Sequence, residues 1–316
     1  NLHWICNGYL QIETLTKFNK PLVCTLKDML PLTGGCHYSD NCNRYQNSCG
    51  HCPQLNSHQD WDLSRLIWKR KKKAWNNINL TIVSPSNWMA ECARYSSLFQ
   101  DIRIEVIPFA LDINKYKPIE QKIAREILGL PQNKDLLLFG AISSTSDKRK
   151  GFHLLQPALQ NLSQSGWNKD LEVVVFGASQ PEKPVDLGFK THYLGSFSDD
   201  ISLALIYSAA DVMIVPSIQE SFGQTASESL ACGTPVVAFN ATGLKDIVTH
   251  QTDGYLAKPY SIDDLAQGIV WVLENSERQQ EISMNARKKA INQLALEIQA
   301  NRYFHLFKEI LAKNKS

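Results

Sequence analysis

The chain has 316 residues, more than a single hydrophobic core usually organises, so two domains are expected. Hydrophobic residues make up 43% and charged residues 20%, and a formal charge of +2 is too small to make nucleic acid the principal partner. No stretch approaches the ~20 apolar residues of a membrane span, and Asn1-Leu-His-Trp-Ile-Cys6 has neither the basic start nor the apolar centre of a secretory signal, which points to the cytoplasm. The same opening lacks an initiator Met and reads as an apolar strand, so the chain is expected to start inside a domain.

Leu22 to Leu26 is the first clear strand, and Thr25-Leu-Lys27-Asp28 stands at its end. Thr33-Gly-Gly-Cys36-His-Tyr-Ser-Asp-Asn-Cys42 and Cys49-Gly-His-Cys52-Pro then gather four of the eight cysteines within seventeen residues. Outside an oxidising compartment a metal outranks a disulfide, which makes Cys36, Cys42, Cys49 and Cys52 candidate ligands of a structural zinc. Only Cys49 and Cys52 have the short spacing of a zinc pair, so disulfide-linked and reduced thiols stay open beside it. Trp68-Lys69-Arg-Lys-Lys-Lys73-Ala-Trp75 sets five consecutive cations between two tryptophans. On a surface helix such a run would meet anionic lipid headgroups, at roughly 1 kcal/mol per basic residue, or else form a solvated face. Strands follow at Asn79 to Val83 and Arg103 to Ile107, with Ser84-Pro-Ser-Asn-Trp88 reading as a strand end that feeds a capped helix. The linker is placed at residues 109 to 120.

From Leu136 onward, strand-like and helix-like stretches alternate, the pattern of a parallel sheet covered by helices. Strands are predicted at Leu136 to Phe139, Leu171 to Phe176, Tyr193 to Leu194, Val212 to Val215 and Pro235 to Phe239. Helices are predicted at Phe152 to Leu162, Ile201 to Ala210, Gln224 to Cys232 and Leu265 to Glu274, the last started by a capping box of Ser261 and Asp264. The stretch from Glu281 to Lys313 carries apolar positions at helical spacing.

One segment makes a chemical proposal. In Pro216-Ser-Ile-Gln-Glu220-Ser-Phe-Gly-Gln-Thr-Ala-Ser-Glu228, the apolar run stops at Pro216, a loop carries Glu220, and helix-forming residues resume after Gly223. Glu228 then lies about one turn inside the helix, ~5 Å along its axis. The carboxylates bracket a helix N-terminus, whose free amides and dipole favour a diphosphate, while each carboxylate can accept hydroxyls to either side. A nucleotide sugar has that layout.

At these residues the chain resembles the retaining glycosyltransferases of family four, which have the two-domain GT-B architecture. Glu228-Ser-Leu-Ala-Cys-Gly233-Thr-Pro-Val-Val-Ala, Thr242-Gly243-Leu-Lys-Asp-Ile-Val and Asp253-Gly254-Tyr-Leu look like that family's motifs in order, as do Tyr193-Leu-Gly195-Ser-Phe and Tyr207-Ser-Ala-Ala-Asp-Val-Met-Ile-Val-Pro-Ser. The match covers about residues 80 to 275, and the cysteine-rich insertion narrows it to colanic-acid-like transferases of bacterial polysaccharide synthesis. It implies an α/β fold of two Rossmann-like doubly wound domains. Residues 1–115 would be the acceptor-side domain, incomplete in this chain, with its insertion at 33–53. Residues 116–280 would bind the donor, and 281–316 would form a helix packing back toward the first domain.

The resemblance also implies roles. Glu220 would contact the transferred sugar together with the amides of Phe222, Gly223 and Gln224, Thr225 would meet a phosphate oxygen, and Glu228 would accept the ribose hydroxyls. Lys150 before Gly151 matches the family's phosphate-binding lysine. The partner arginine's place holds Ala141, which leaves Arg149 or Lys148 to supply the second charge. Gly177, Leu194 and Gly195 would line the base pocket, with UDP, GDP and ADP all open. Lys27 takes the place of a histidine common in relatives and would face the departing phosphate, with Asp28 orienting it. The implied enzyme is a metal-independent, retaining hexosyltransferase that takes a nucleoside diphosphate sugar as donor and a saccharide or lipid-linked saccharide as acceptor. It would be cytoplasmic, with peripheral attachment to the membrane's inner face through Lys69 to Lys73. The rivals are a non-catalytic nucleotide-sugar binding module and a nucleotide-sugar epimerase of the same architecture.

Overall fold

The structure, a computed structural model, describes residues 1–3, 10–76, 78–140, 147–177 and 185–313. It divides into two compact units, one of Asn1–Pro108 with Gln299–Ser316 and the other of Phe109–Ile298.

The first unit carries a parallel sheet of β1 (Leu22–Thr25), β2 (Leu80–Ser84) and β3 (Arg103–Val106), in that order. β2 is central and buried along its whole length, as its run of β-branched residues requires of a strand covered on both faces. Helix α1 (Leu63–Trp75) starts at Asp62, whose carboxylate accepts the Arg65 N–H, and α2 (Asn87–Tyr95) starts at Ser86, whose hydroxyl accepts the Met89 N–H. Against them lies a core of Leu26, Met29, Leu32, Ile82 and Met89, with Trp75 stacked on Phe99 at 5.2 Å.

The cationic run on α1 is not the continuous solvated stripe that its composition suggests. Lys71 shares a helical face with Ala74 and Trp75 and is buried at 4% exposure, where its ammonium donates to the carbonyls of Leu30 and, at 2.8 Å, Thr33. Lys72 donates to the Ser97 carbonyl at 3.0 Å, Arg70 is paired with Glu13, and Lys69 sits 4.9 Å over the exposed ring of Trp61. A lysine inside must satisfy its charge, and here backbone carbonyls do so. Among the described residues no helix is long and apolar enough to cross a membrane.

The second unit is built on six parallel strands, β4 (Asp135–Gly140), β5 (Leu171–Phe176), β6 (Thr191–Gly195), β7 (Val212–Val215), β8 (Val236–Phe239) and β9 (Gly254–Ala257). They are joined in the order β6-β5-β4-β7-β8-β9, so the chain winds outward in one direction through β6 and in the other from β7. Alternate residues face opposite cores. Leu136, Leu138, Met213 and Val215 look to one, with Tyr207 and Leu230, and Leu137, Phe139, Val212 and Ile214 look to the other, with Leu155 and Ile269. The covering helices are α3 (Gln121–Leu128), α4 (Phe152–Gln164), α5 (Asp200–Ala209), α6 (Gln224–Ala231), the short α7 (Leu244–Ile247), α8 (Ile262–Leu273) and α9 (Ser276–Gln293). At the start of α8 the Ser261 hydroxyl accepts the Asp264 N–H.

The terminal stretch is two helices rather than one. α9 ends at Gln293 and α10 (Leu296–Lys313) begins after Leu294 and Ala295, which are buried while Leu111 pairs with Ala295 and donates its N–H to the Leu294 carbonyl at 2.8 Å. This bridge interrupts the helical spacing. α9 therefore stays with the second unit, and from Gln299 onward α10 belongs to the first, where Leu306 and Ile310 cover Val23, Val83 and Ile107. The division falls after Pro108.

Where α3 meets the sheet, Arg125 and Asp211 form a buried ion pair at 2.6 Å, and the same Asp211 oxygen accepts the Leu136 N–H at 2.6 Å. Burial and then the Asp211 charge push the neighbouring Asp135 carboxyl up to about 6. A carboxyl that titrates near 4 when unfolded thus holds its proton more tightly in the fold, so its contribution to stability falls as pH rises from about 4 to about 6. Asp135→Asn should remove that fall. Relative to the unmodified chain, urea titrations should show the variant gaining roughly 1–2 kcal/mol at pH 7.5 over its value at pH 4, and an equal difference at both pH values contradicts the assignment.

Candidate functional site

Because all six strands are parallel, their C-terminal ends share one edge, and the strand order reverses between β4 and β7. A crevice at such a reversal is opened by loops that leave in opposite directions. Here the loop after β4 brings a turn at Lys148–Lys150, and the loop after β7 brings Glu220.

The two loops are fastened to each other. Gly151, at φ 77°, ends the basic turn against Pro216 so closely that a Cβ would stand 1.8 Å from the Pro216 carbonyl oxygen. The Ile218 N–H donates to the Arg149 carbonyl at 2.8 Å, and the Arg149 guanidinium donates to the Gln219 carbonyl at 2.9 Å while pairing with Asp147 at 3.0 Å. The Lys150 ammonium reaches Glu220 Oε1 at 2.6 Å, and Arg149 lies 3.4 Å from the same oxygen. From the far side, Thr242 Oγ1 accepts the Glu220 N–H at 3.1 Å, and the Gly243 N–H donates back to the Glu220 carbonyl at 2.9 Å. Glu220 is held on both sides, with 12% of its side chain accessible.

The α6 N-terminus follows directly. Gly223, at φ 100°, is its N-cap and has no side chain to close it, and the first bond of the helix runs from the Ser227 N–H to the Gly223 carbonyl at 3.1 Å. The amides of Gln224, Thr225 and Ala226 precede that bond and so lack an acceptor within the helix. Phe222 is buried with its ring 5.2 Å from Phe109, edge to face, so only its backbone is available. Thr225 is half-buried in the first turn. One turn on, Glu228 is 5% exposed, accepting the Tyr207 hydroxyl at 2.8 Å and the Gln224 amide at 3.0 Å, and burial raises its pKa. Each of its oxygens has a lone pair beyond these bonds.

At the ends of β5 and β6, the Gly177 N–H donates to the Gly195 carbonyl at 2.8 Å, while Leu194 packs against the core. Glu220, Lys150, Arg149, Phe222, Gly223, Gln224, Thr225, Glu228, Gly177, Leu194 and Gly195 thus all belong to the edge or to the first turns beyond it. Ala141 lies outside the described residues. Sequence patterns did not single out Tyr207 or Thr242 individually, although both stand within quoted motifs. The visible signal for Tyr207 was a single phenol among the aliphatic residues of its helix.

Lys27 belongs to the first unit, just after β1, where partial desolvation of its otherwise exposed ammonium lowers its pKa. Asp28, expected to orient it, is bonded to His37 Nδ1 at 2.7 Å and accepts the Leu30 N–H at 2.8 Å. In the same unit Cys36, Cys42, Cys49 and Cys52 line one cavity of about 30 Å³, and the Gly34 N–H donates to Cys49 Sγ at 3.2 Å. Burial pushes the Cys49 thiol up to about 11 and raises that of Cys36. All four are free thiols, and among the described residues no three His, Cys, Asp or Glu side chains are grouped so as to hold a metal ion. The zinc expectation therefore finds four sulfurs around a shared space but no assembled ligand set.

Comparison with known proteins adds what geometry alone does not. The chain is 30% identical over 200 residues to D-inositol 3-phosphate glycosyltransferase 2 of Catenulispora acidiphila, a match covering 60% of this chain and 46% of that one. It is 34% identical over 170 residues to the D-inositol 3-phosphate glycosyltransferase of Xylanimonas cellulosilytica, covering 49% and 39%. The chain thus spans less than half the length of these curated relatives. Among solved structures, sucrose-phosphate synthase from Thermosynechococcus elongatus superposes with a TM-score of 0.72 at 23% identity, covering 95% of this chain and 70% of that one. Anabaena Alr3699/HepE in complex with UDP and glucose superposes with a TM-score of 0.66 at 21% identity, covering 92% and 72%. At these identities the likeness is one of fold, the α/β GT-B architecture of glycosyltransferases. The model of the family described as Glycosyl transferases group 1 matches residues 120–289, more than half of the chain, and the chain belongs to that family.

Proposed function

We propose that the second unit binds a nucleoside diphosphate sugar and that the chain is a retaining hexosyltransferase, passing the sugar to a hydroxyl of a saccharide, free or lipid-linked, in bacterial polysaccharide synthesis. The observation that carries this reading is the meeting of Lys150 and Glu220 at the reversal of strand order, directly before the uncapped amides of α6. Cations, free N–H groups and a carboxylate in that sequence suit a diphosphate flanked by hydroxylated rings.

On this reading the diphosphate lies on the amides and hydroxyl at Thr225, with Lys150 and Arg149 across from them. Glu228, held by Tyr207 and Gln224, receives the ribose hydroxyls. Glu220 and the amides of Phe222, Gly223 and Gln224 receive the sugar, and the backbone at Gly177, Leu194 and Gly195 borders the base. In the transfer, the bond from the anomeric carbon to the diphosphate oxygen breaks and the acceptor oxygen bonds to that carbon on the same face. The acceptor's proton passes to the departing phosphate. Negative charge grows on the leaving group, and Lys150 and Arg149 stabilise it without a metal ion. Lys27, an exposed residue of the first unit, is given the same task on the family resemblance alone. UDP is the first nucleotide to try, since the HepE structure contains it.

A thermal-shift screen across UDP, GDP, ADP and their glucose conjugates tests the reading, because a ligand that binds only the folded state raises its stability in proportion to affinity. One base series should stabilise the protein, and Glu228→Ala should abolish that response. Lys150→Ala should lower turnover about 10²- to 10³-fold. A transfer product of inverted anomeric configuration by NMR would sink the retaining assignment.

The glycine that joins the loops supplies a separate check. In Gly151→Ala the new Cβ meets the Pro216 oxygen at a backbone conformation that L-residues rarely adopt, so the basic turn must lift away. Urea unfolding should show a loss of about 2–4 kcal/mol, together with loss of the nucleotide response. A variant with both properties intact contradicts this role for Gly151.

A further inference from the structure

The cations assigned to the diphosphate are already paired with an anion. Lys150 is bonded to Glu220 at 2.6 Å and Arg149 approaches the same oxygen at 3.4 Å, so a carboxylate stands in for the phosphate they would hold. An arriving diphosphate competes with it for Lys150 and Arg149. Glu220 is fixed by Thr242 and Gly243 at its backbone and only 12% of its side chain is accessible, so it has little access to water in compensation. A carboxylate that loses its charged partner in such a place is costly unless other donors reach it.

A bare nucleoside diphosphate brings no such donors. A nucleoside diphosphate sugar does, since its hydroxyls arrive on the Glu220 side of the diphosphate. We propose that Glu220 is a specificity-determining residue that separates the loaded donor from the spent nucleotide by exchanging partners, Lys150 before the donor binds and sugar hydroxyls once it has. The proposal rests on the donor-site reading above and adds a direction to it. Before transfer the exchange is balanced. After transfer the sugar is gone, Glu220 competes again for Lys150, and the nucleotide is released.

Calorimetric titration of the full chain tests this, with UDP and UDP-glucose or whichever matched pair stabilises the unmodified protein most. Glu220→Gln keeps shape and hydrogen-bonding capacity but removes the charge. Bare nucleotide should then bind about tenfold more tightly, while the sugar conjugate changes by less than threefold, so that the preference for the conjugate falls. In a Lys150→Met background the tightening should fall well below tenfold, because only Arg149, 3.4 Å from the same oxygen, is left to release. Glu220→Ser provides a second variant should the amide perturb the loop, and it should likewise tighten bare nucleotide. Unchanged or weaker binding of bare nucleotide in both Glu220 variants overturns the exchange and leaves the donor site standing. If no nucleotide or conjugate binds the unmodified protein, the donor reading falls, and this inference with it.

Discussion

β4 and β7 are distant in sequence yet adjacent in the sheet, paired from Leu137 with Val212 to Phe139 with Ile214. That adjacency sets the distance between the two loops that leave their ends, and the fit between the loops is completed by groups with no side chain to spare. Gly151 lies against the Pro216 carbonyl, and Gly243 lies against Glu220 and Ser221, where a Cβ would stand 2.6 Å from the Ser221 oxygen. Hydrogen bonds from Ile218 and Arg149 then lock the arrangement. The electrostatics follow from this packing, since two cations and a carboxylate are brought together on backbone that has little freedom to separate them.

Much of this unit was legible in its residues. The buried strands announced themselves as short apolar runs, Leu136 to Phe139 and Val212 to Val215 among them, because a parallel strand covered on both faces has no polar side to show. The helix start after Gly223 was readable from the glycine and from the helix formers beyond it. What the residues did not disclose was mostly partnership. Tyr207 and Glu228 are on successive helices, and no local pattern says that one hydroxyl meets one carboxylate. At the break between α9 and α10 the chain pairs with Leu111, far upstream, in a spacing that reads as continuous helix.

The first unit was harder, for a related reason. Five cations in a row invite a uniform reading, although the helical repeat already set Lys71 beside Ala74 and Trp75 on the inner face. Composition describes a run, whereas geometry treats its members one at a time. The cysteines repeat the point. Their grouping around one cavity was foreshadowed by proximity in sequence, but whether sulfurs converge depends on backbone angles such as the left-handed ones at Asp40, Cys49 and His51, which spacing does not encode.

The return of α10 to the first unit has a consequence for biosynthesis. The second unit is one continuous stretch, Phe109–Ile298, inserted between the two segments that compose the first. Val23, Val83 and Ile107 precede the second unit in the chain, whereas the residues that cover them, Leu306 and Ile310, follow it. During synthesis the later-encoded unit has all its residues first, while the earlier one waits with an apolar sheet face uncovered. Vectorial folding and chain order therefore run in opposite senses in this molecule, and the nascent sheet keeps an apolar face exposed until α10 has been made.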